Sequence, residues 1–187
     1  AGGDGNTYVG YLAGSASVDT GFNTALGHMA FARGTGSYNT LLGSFAGSSA
    51  ANTGTALSGN NNVCIGYESG NVLTDGPGNV LIGRAAGVSM TTSDYNVAIG
   101  HEALLSLTTN SHNNIAIGTH ALKTQATDQT GGSITDGTVN SIAIGRNALY
   151  AQNHADAINL AIGYGAGSTI STGTENVLIG HEAGRTI

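Results

Sequence analysis

Eight of the ten residues that follow a recurring glycine can do recognition chemistry or could be made to. Seven of the ten positions read Tyr11, His28, Tyr67, Arg84, His101, Tyr164 and His181, and an eighth is Arg146; Ser44 and Thr119 complete the series. Phenol and imidazole rings stack on the apolar faces of sugars, and guanidinium groups donate to hydroxyl and carboxylate oxygens. Tyr67, Arg84, His101, Arg146, Tyr164 and His181 are therefore the candidate binding residues, with a sugar as the ligand they suit. The plainer alternative is that these amphipathic side chains shield the backbone or bridge neighbouring chains, since aromatic and Arg side chains are enriched at interfaces without being confined to them.

Other chemistries find less support. Glu68, Glu102 and Glu182 follow the same line by one residue, but they recur singly, whereas cutting a glycosidic bond needs clustered carboxylates. Asp75, Asp94, Asp128, Asp136 and Asp156 lie in turn-rich spacers. No catalytic residue is assigned and no enzyme is expected. The six His residues include no H-x-H, H-E-x-x-H or Cys/His pair, and His28, His101 and His181 are several repeats apart. No metal site and no cofactor are expected. The opening GGDGN has the letters of a calcium-binding repeat once, out of register, and reads as a turn. An ice-binding face needs a regular Thr array, and Thr7, Thr24 and Thr40 supply it in three repeats alone.

The line exists because the chain repeats. Anchoring on Gly10, Gly27, Gly43, Gly66, Gly83, Gly100, Gly118, Gly145, Gly163 and Gly180 gives intervals of 17, 16, 23, 17, 17, 18, 27, 18 and 17 residues. The unit is 17 residues, with loop insertions near 51–60 and 125–137, in one repeat domain over 1–187. Asn stands four residues before the glycine in nine repeats, and Ser141 in the other. Aliphatics precede the glycine by one residue (Ile99, Ile144) and in most repeats by three (Val97, Ile142). Small residues such as Ala98, Ala116, Ala143 and Cys64 lie between them. Alternation of this kind is a strand signal, and apolar residues on both faces indicate a strand covered on both sides.

The expected fold is all-β: a parallel β-solenoid (a β-roll or β-helix) of ten coils of about 17 residues. Asn at one corner of successive coils should form a side-chain ladder, as in stacked cross-β rows. The aliphatic pair is expected to point into the coil, leaving Ala98, Ala116 and Ala143 on an apolar stripe. A coil this short has room for two short strands and a thin core, so that stripe implies burial between chains, in an obligate homotrimer.

Composition agrees with a repeat architecture, in which small polar residues fill tight turns and a few aliphatics fill a narrow core. Charged residues make up 9% of the chain, there are 31 Gly, and the net charge is −6. No basic patch suits nucleic acid, and no apolar run is long enough to insert into a membrane. The first residues lack the pattern of a signal peptide. Cys64 is the single cysteine, so no disulfide framework is expected.

Residues 96–104 and 114–122 carry N-x-A-I-G-x-x-A-L and residues 140–149 read NSIAIGRNAL, with Thr- and Gly-rich spacers between repeats. This pattern resembles the repeats of phage and virus tail-fibre or receptor-binding proteins. It is also similar to the N-S-V-A-I-G head repeats of trimeric autotransporter adhesins, although the unit here is longer. The resemblance extends from Asn6 to Gly184 and implies a left-handed trimeric parallel β-roll, extracellular, on a virion tail fibre or a cell surface. The expected function is a structural and adhesive fibre segment that contacts a host-surface glycan or protein receptor. The alternatives are a ligand-free shaft or filament and, third, a polysaccharide-degrading tail spike.

Overall fold

The computed structural model describes residues 3–18, 20–48, 57–106, 111–123, 140–152 and 157–185. Each repeat contributes one strand of three residues. The first five are β1 (Thr7–Val9), β2 (Thr24–Leu26), β3 (Thr40–Leu42), β4 (Val63–Ile65) and β5 (Val80–Ile82). The second five are β6 (Val97–Ile99), β7 (Ile115–Ile117), β8 (Ile142–Ile144), β9 (Leu160–Ile162) and β10 (Val177–Ile179). They pair in parallel, in sequence order, in one ten-stranded sheet, which makes the chain a β-solenoid. The register is uniform: Val97 pairs with Ile115, Ala98 with Ala116 and Ile99 with Ile117. The second inward segment of each repeat is present, but as a turn and not as a second strand.

The Asn column is the axial spine of the fold. The backbone N–H of Asn23 donates to Asn6 Oδ1 at 2.9 Å, that of Asn39 to Asn23, that of Asn96 to Asn79, and that of Asn176 to Asn159. The side-chain amide also works sideways. Asn6 donates to the Thr20 carbonyl, Asn23 to Gly36, Asn79 to Ser93 and Asn96 to Ser111, joining the start of each strand to the turn that returns to the next. Asn suits both tasks, since it carries an acceptor and two donors on a short stem. Ser141 takes the place of Asn and keeps the column's backbone links: its N–H donates to Asn114 Oδ1 at 3.1 Å, and its Oγ accepts from the Asn159 N–H at 3.3 Å and donates to the Ala157 carbonyl. Gln152 supplies the missing amide contacts. Its Nε2 donates to Ser141 Oγ at 2.9 Å, and its Oε1 accepts from Asn159 Nδ2 at 3.1 Å.

The glycine ending each strand stacks on its counterpart. Gly83 has φ +135°, and a Cβ there would lie 2.4 Å from the Gly100 carbonyl oxygen. Neither the dihedral nor the space admits another residue.

The structure reverses the expected faces. Ala98, Ala116, Ala143, Cys64 and Leu81 are fully buried inside the coil. The aliphatic pair faces outward, with Ile99 36% and Ile179 66% exposed. Ile99 and Ile144 are thus surface residues, and Ala98, Ala116 and Ala143 are core. The Asn column sets this phase: Asn points inward, so the residue two further on does too. Both candidate faces are apolar, so hydrophobic alternation alone does not distinguish them.

A narrow interior explains the small residues. In several coils the buried strand residue and the residue four after the corner glycine exchange volume; where both are small, as in Cys64 with Gly70 and Ala161 with Gly167, Leu73 and Ile170 from the following turn fill the space. Ala98, Ala116 and Ala143 accompany Leu104, Leu122 and Leu149, whereas Leu41 and Leu81 accompany Gly47 and Gly87. A Cβ on Gly47 would come within 2.1 Å of Leu41 Cδ2. Leu104, Leu122 and Leu149 adopt φ of 52°, 48° and 48°, which costs each about 1–2 kcal/mol and is offset by burial. Of the first insertion, residues 57–60 are described, and Leu57 is buried in the core. Residues 51–56 and the second insertion, 125–137, lie outside the described residues.

Two substitutions test this architecture. Asn79→Ala removes the acceptor of both the Asn96 backbone N–H and its Nδ2, and should cost on the order of 3 kcal/mol in urea unfolding. Ala98→Glu places a carboxylate inside the coil and should abolish the β-rich circular dichroism spectrum, not merely assembly.

Candidate functional site: the corner line and the outward face

Alternation carries four positions of each repeat to the same side: the residue before Asn, the two aliphatics, and the residue after the glycine. The central two rows, from Thr7 and Val9 to Val177 and Ile179, contain no charged residue. The corner line lies along one edge. Tyr11, Tyr67 and Tyr164 are exposed, as are His28, Arg84, Arg146 and His181, while His101 is half-buried.

The line is contiguous in stretches and its members engage one another. Tyr11 stacks on His28 with centroids 5.4 Å apart. His28 meets the edge of Phe45 at 5.1 Å, and Phe45 lies 6.3 Å from Tyr67. Glu68 holds the Tyr67 phenol above its ordinary range through a side-chain hydrogen bond. At the far end, Arg146 lies over Tyr164 at 5.7 Å, and Tyr164 stacks on His181 at 5.2 Å and 11°. A shallow cleft of about 250 Å³ opens there between Asn147, Tyr150, Tyr164, Glu182 and Arg185. Arg185 pairs with Glu182 and holds its carboxyl below the usual range. With Arg146 and His181 stacked on the Tyr164 ring, the cleft presents ring edges and phenol hydroxyls beside an ion pair, a lining that suits the hydroxyls of a sugar.

The middle of the line is a charged cluster. Arg84 Nη1 lies 2.8 Å from His101 Nε2 and donates to Glu102 Oε1 at 3.3 Å. Lys123 Nζ lies 2.7 Å from Glu102 Oε2, and His120 Nε2 lies 3.3 Å from the same oxygen. The Lys123 ammonium holds the Glu102 carboxyl below its usual range, with His101 and His120 adding to the effect. His120 escapes a search of the sequence for metal spacings because it lies 19 residues after His101, at the second position past its glycine. Only stacking of the coils at this register brings the two together.

A second aromatic row was not legible as a site. Phe22, Tyr38 and Tyr95 stand immediately before Asn and are all exposed; Phe22 stacks on Tyr38 at 5.1 Å and 8°. The recurring aromatic–Asn pair is the signal that marks them. They border the aliphatic rows on the side opposite the corner line.

Cys64 offers no nucleophile. Burial pushes its thiol up to about 12. Among the described residues no helix is long and apolar enough to cross a membrane. Comparison with known proteins finds no match to a family model, a curated protein or a solved structure.

A thiol this buried should be silent. At pH 8 native protein should not react with a thiol-specific disulfide reagent over an hour, and should release one equivalent in denaturant. Rapid reaction of the native protein would show that the coil around β4 opens readily.

Proposed function

We propose that the chain is a structural and adhesive rod: a homotrimeric, left-handed β-solenoid segment of a tail fibre or surface adhesin, outside the cell, that contacts host-surface glycans. It performs no chemistry on them. The observation that carries the reading is the outward face. Ten strands at about 4.8 Å make a surface about 43 Å long, and four alternate positions make it about 20 Å wide. The resulting area of roughly 800 Å², borders included, is what one partner contributes to a stable interface, and the two central rows make up about half of it. Its two central rows are Val, Ile, Leu and Thr without a charge. A soluble chain rarely leaves such a patch in water. Packing three copies around a common axis covers it and leaves each corner line at the rim.

The rim is then a repeated, rigid array of Tyr, His and Arg, and three copies convert weak contacts into avidity. Tyr164, beside the cleft at Glu182 and Arg185, is the favoured point of glycan contact, with Tyr67, Arg84, His101, Arg146 and His181 along the same line. Kinship with fibre and adhesin repeats rests on the N-x-A-I-G pattern, which also supplies the handedness.

A second reading has its own support. The corner residues already satisfy one another through the Tyr11–His28 and Tyr164–His181 stacks and the Arg84–His101 contact. Residues spent in this way suit a shaft whose ligand site lies elsewhere.

Light scattering should give three chains per particle. Replacing Val97, Ile99, Ile115 and Ile117 by Thr, a residue that three repeats already carry in this face, should yield a folded monomer; a monomeric unsubstituted chain overturns the trimer. Glycan-array binding that Tyr164→Ser abolishes supports adhesion, and no binding to glycans or host cells leaves the shaft.

A further inference from the structure

We propose that His101, Glu102 and His120 form a binding site for a single zinc-class divalent ion that clamps the corner after β6 to the corner after β7. One ligand atom from each of the three residues lies within 4.8 Å of the others. The Nε2 atoms of His101 and His120 lie 3.5 Å and 3.3 Å from the Glu102 carboxylate oxygens. Tetrahedral zinc with its ordinary bond lengths sets ligand atoms about 3.4 Å apart. His101 Nε2 faces Oε1 and His120 Nε2 faces Oε2, so a rotation of the carboxylate and a closing of up to about 1.4 Å bring one oxygen and both nitrogens onto an ion.

The backbone holds them in place. His120 N–H donates to the His101 carbonyl at 3.0 Å, and Glu102 N–H to the Arg84 carbonyl at 3.0 Å, so the two corners keep a fixed register. Two imidazoles and a carboxylate select zinc and its transition-metal neighbours over calcium and magnesium, which take oxygen ligands. Lys123, 2.7 Å from Glu102 Oε2, can stay as the outer partner of the carboxylate while Oε1 ligates. Arg84 cannot stay: its Nη1 occupies the His101 lone pair at 2.8 Å. It is a long, largely exposed side chain and can swing into solvent. Because Arg84 and the ion compete for one nitrogen, removal of Arg84 has a distinctive consequence. The fourth position opens to water.

Zinc chloride titrated into the whole chain by calorimetry should bind with one site per chain and raise the thermal midpoint. His101→Ala and His120→Ala should each weaken binding by about ten- to a hundredfold, and His28→Ala should leave it unchanged. Arg84→Ala should tighten it several-fold, an effect that loss of a merely structural contact would not produce. Each variant is checked for an unchanged circular dichroism spectrum. Absence of saturable binding, binding that survives both His101→Ala and His120→Ala, or an Arg84→Ala variant that binds no more tightly overturns the assignment. The result is independent of oligomeric state and of glycan binding.

Discussion

The buried Asn column is the interaction on which the rest of the structure depends. A three-residue strand makes too few ladder bonds to hold a coil in register, and a narrow interior has few apolar atoms to bury. Asn supplies what both lack. Its oxygen accepts from the next repeat, and in Asn6, Asn23, Asn79, Asn96 and Asn159 its amide ties the strand to the returning turn of its own repeat. Buried in a region of low dielectric, these bonds are strong, and leaving one unmade is expensive. The device that follows Ser141 shows how much depends on continuity. Ser141 keeps a donor to the Ala157 carbonyl and an acceptor for the Asn159 N–H, and Gln152, from a different part of the repeat, reaches in to supply the acceptor for Asn159 Nδ2.

With the spine fixed, the core becomes a problem of constant volume. Each coil must fill about the same narrow space so that its neighbours can stack on it. Ala98 with Leu104 and Leu81 with Gly87 are two solutions of that problem, one filling from the turn and the other from the strand. Close packing makes them interchangeable as pairs and not singly. The left-handed backbone at Leu104, Leu122 and Leu149 is a cost the turn bears in order to aim a large side chain inward.

The same geometry leaves the outside free to vary in a regular way. Four alternate positions of each repeat are brought to one surface, and the corner glycine places the next residue at its edge. Two aliphatic rows bordered by aromatic, His and Arg side chains are the consequence. That border is where the chain's rings and charges are concentrated, and the charged cluster at Arg84, His101, Glu102, His120 and Lys123 is its densest part.

Much of this was legible in the residues themselves. Strand positions, parallel order, the Asn ladder, the corner glycines and the line from Tyr11 to His181 all follow from a 17-residue period, because in a solenoid equal sequence position means equal spatial position. The direction in which the strand faces did not follow. Val97, Ala98 and Ile99 are all apolar, and two-fold alternation divides them into faces without saying which is inside. The closed coil decides it, since the Asn side chain must reach inward to meet the returning turn and Ala98 must share its side. Nor did contacts between different positions of different repeats follow. Gln152 with Ser141, and His120 with His101 and Glu102, combine unequal positions in the repeat. A period aligns like with like; which unlike residues touch is set by the path of the turn, and that exists only in the folded chain.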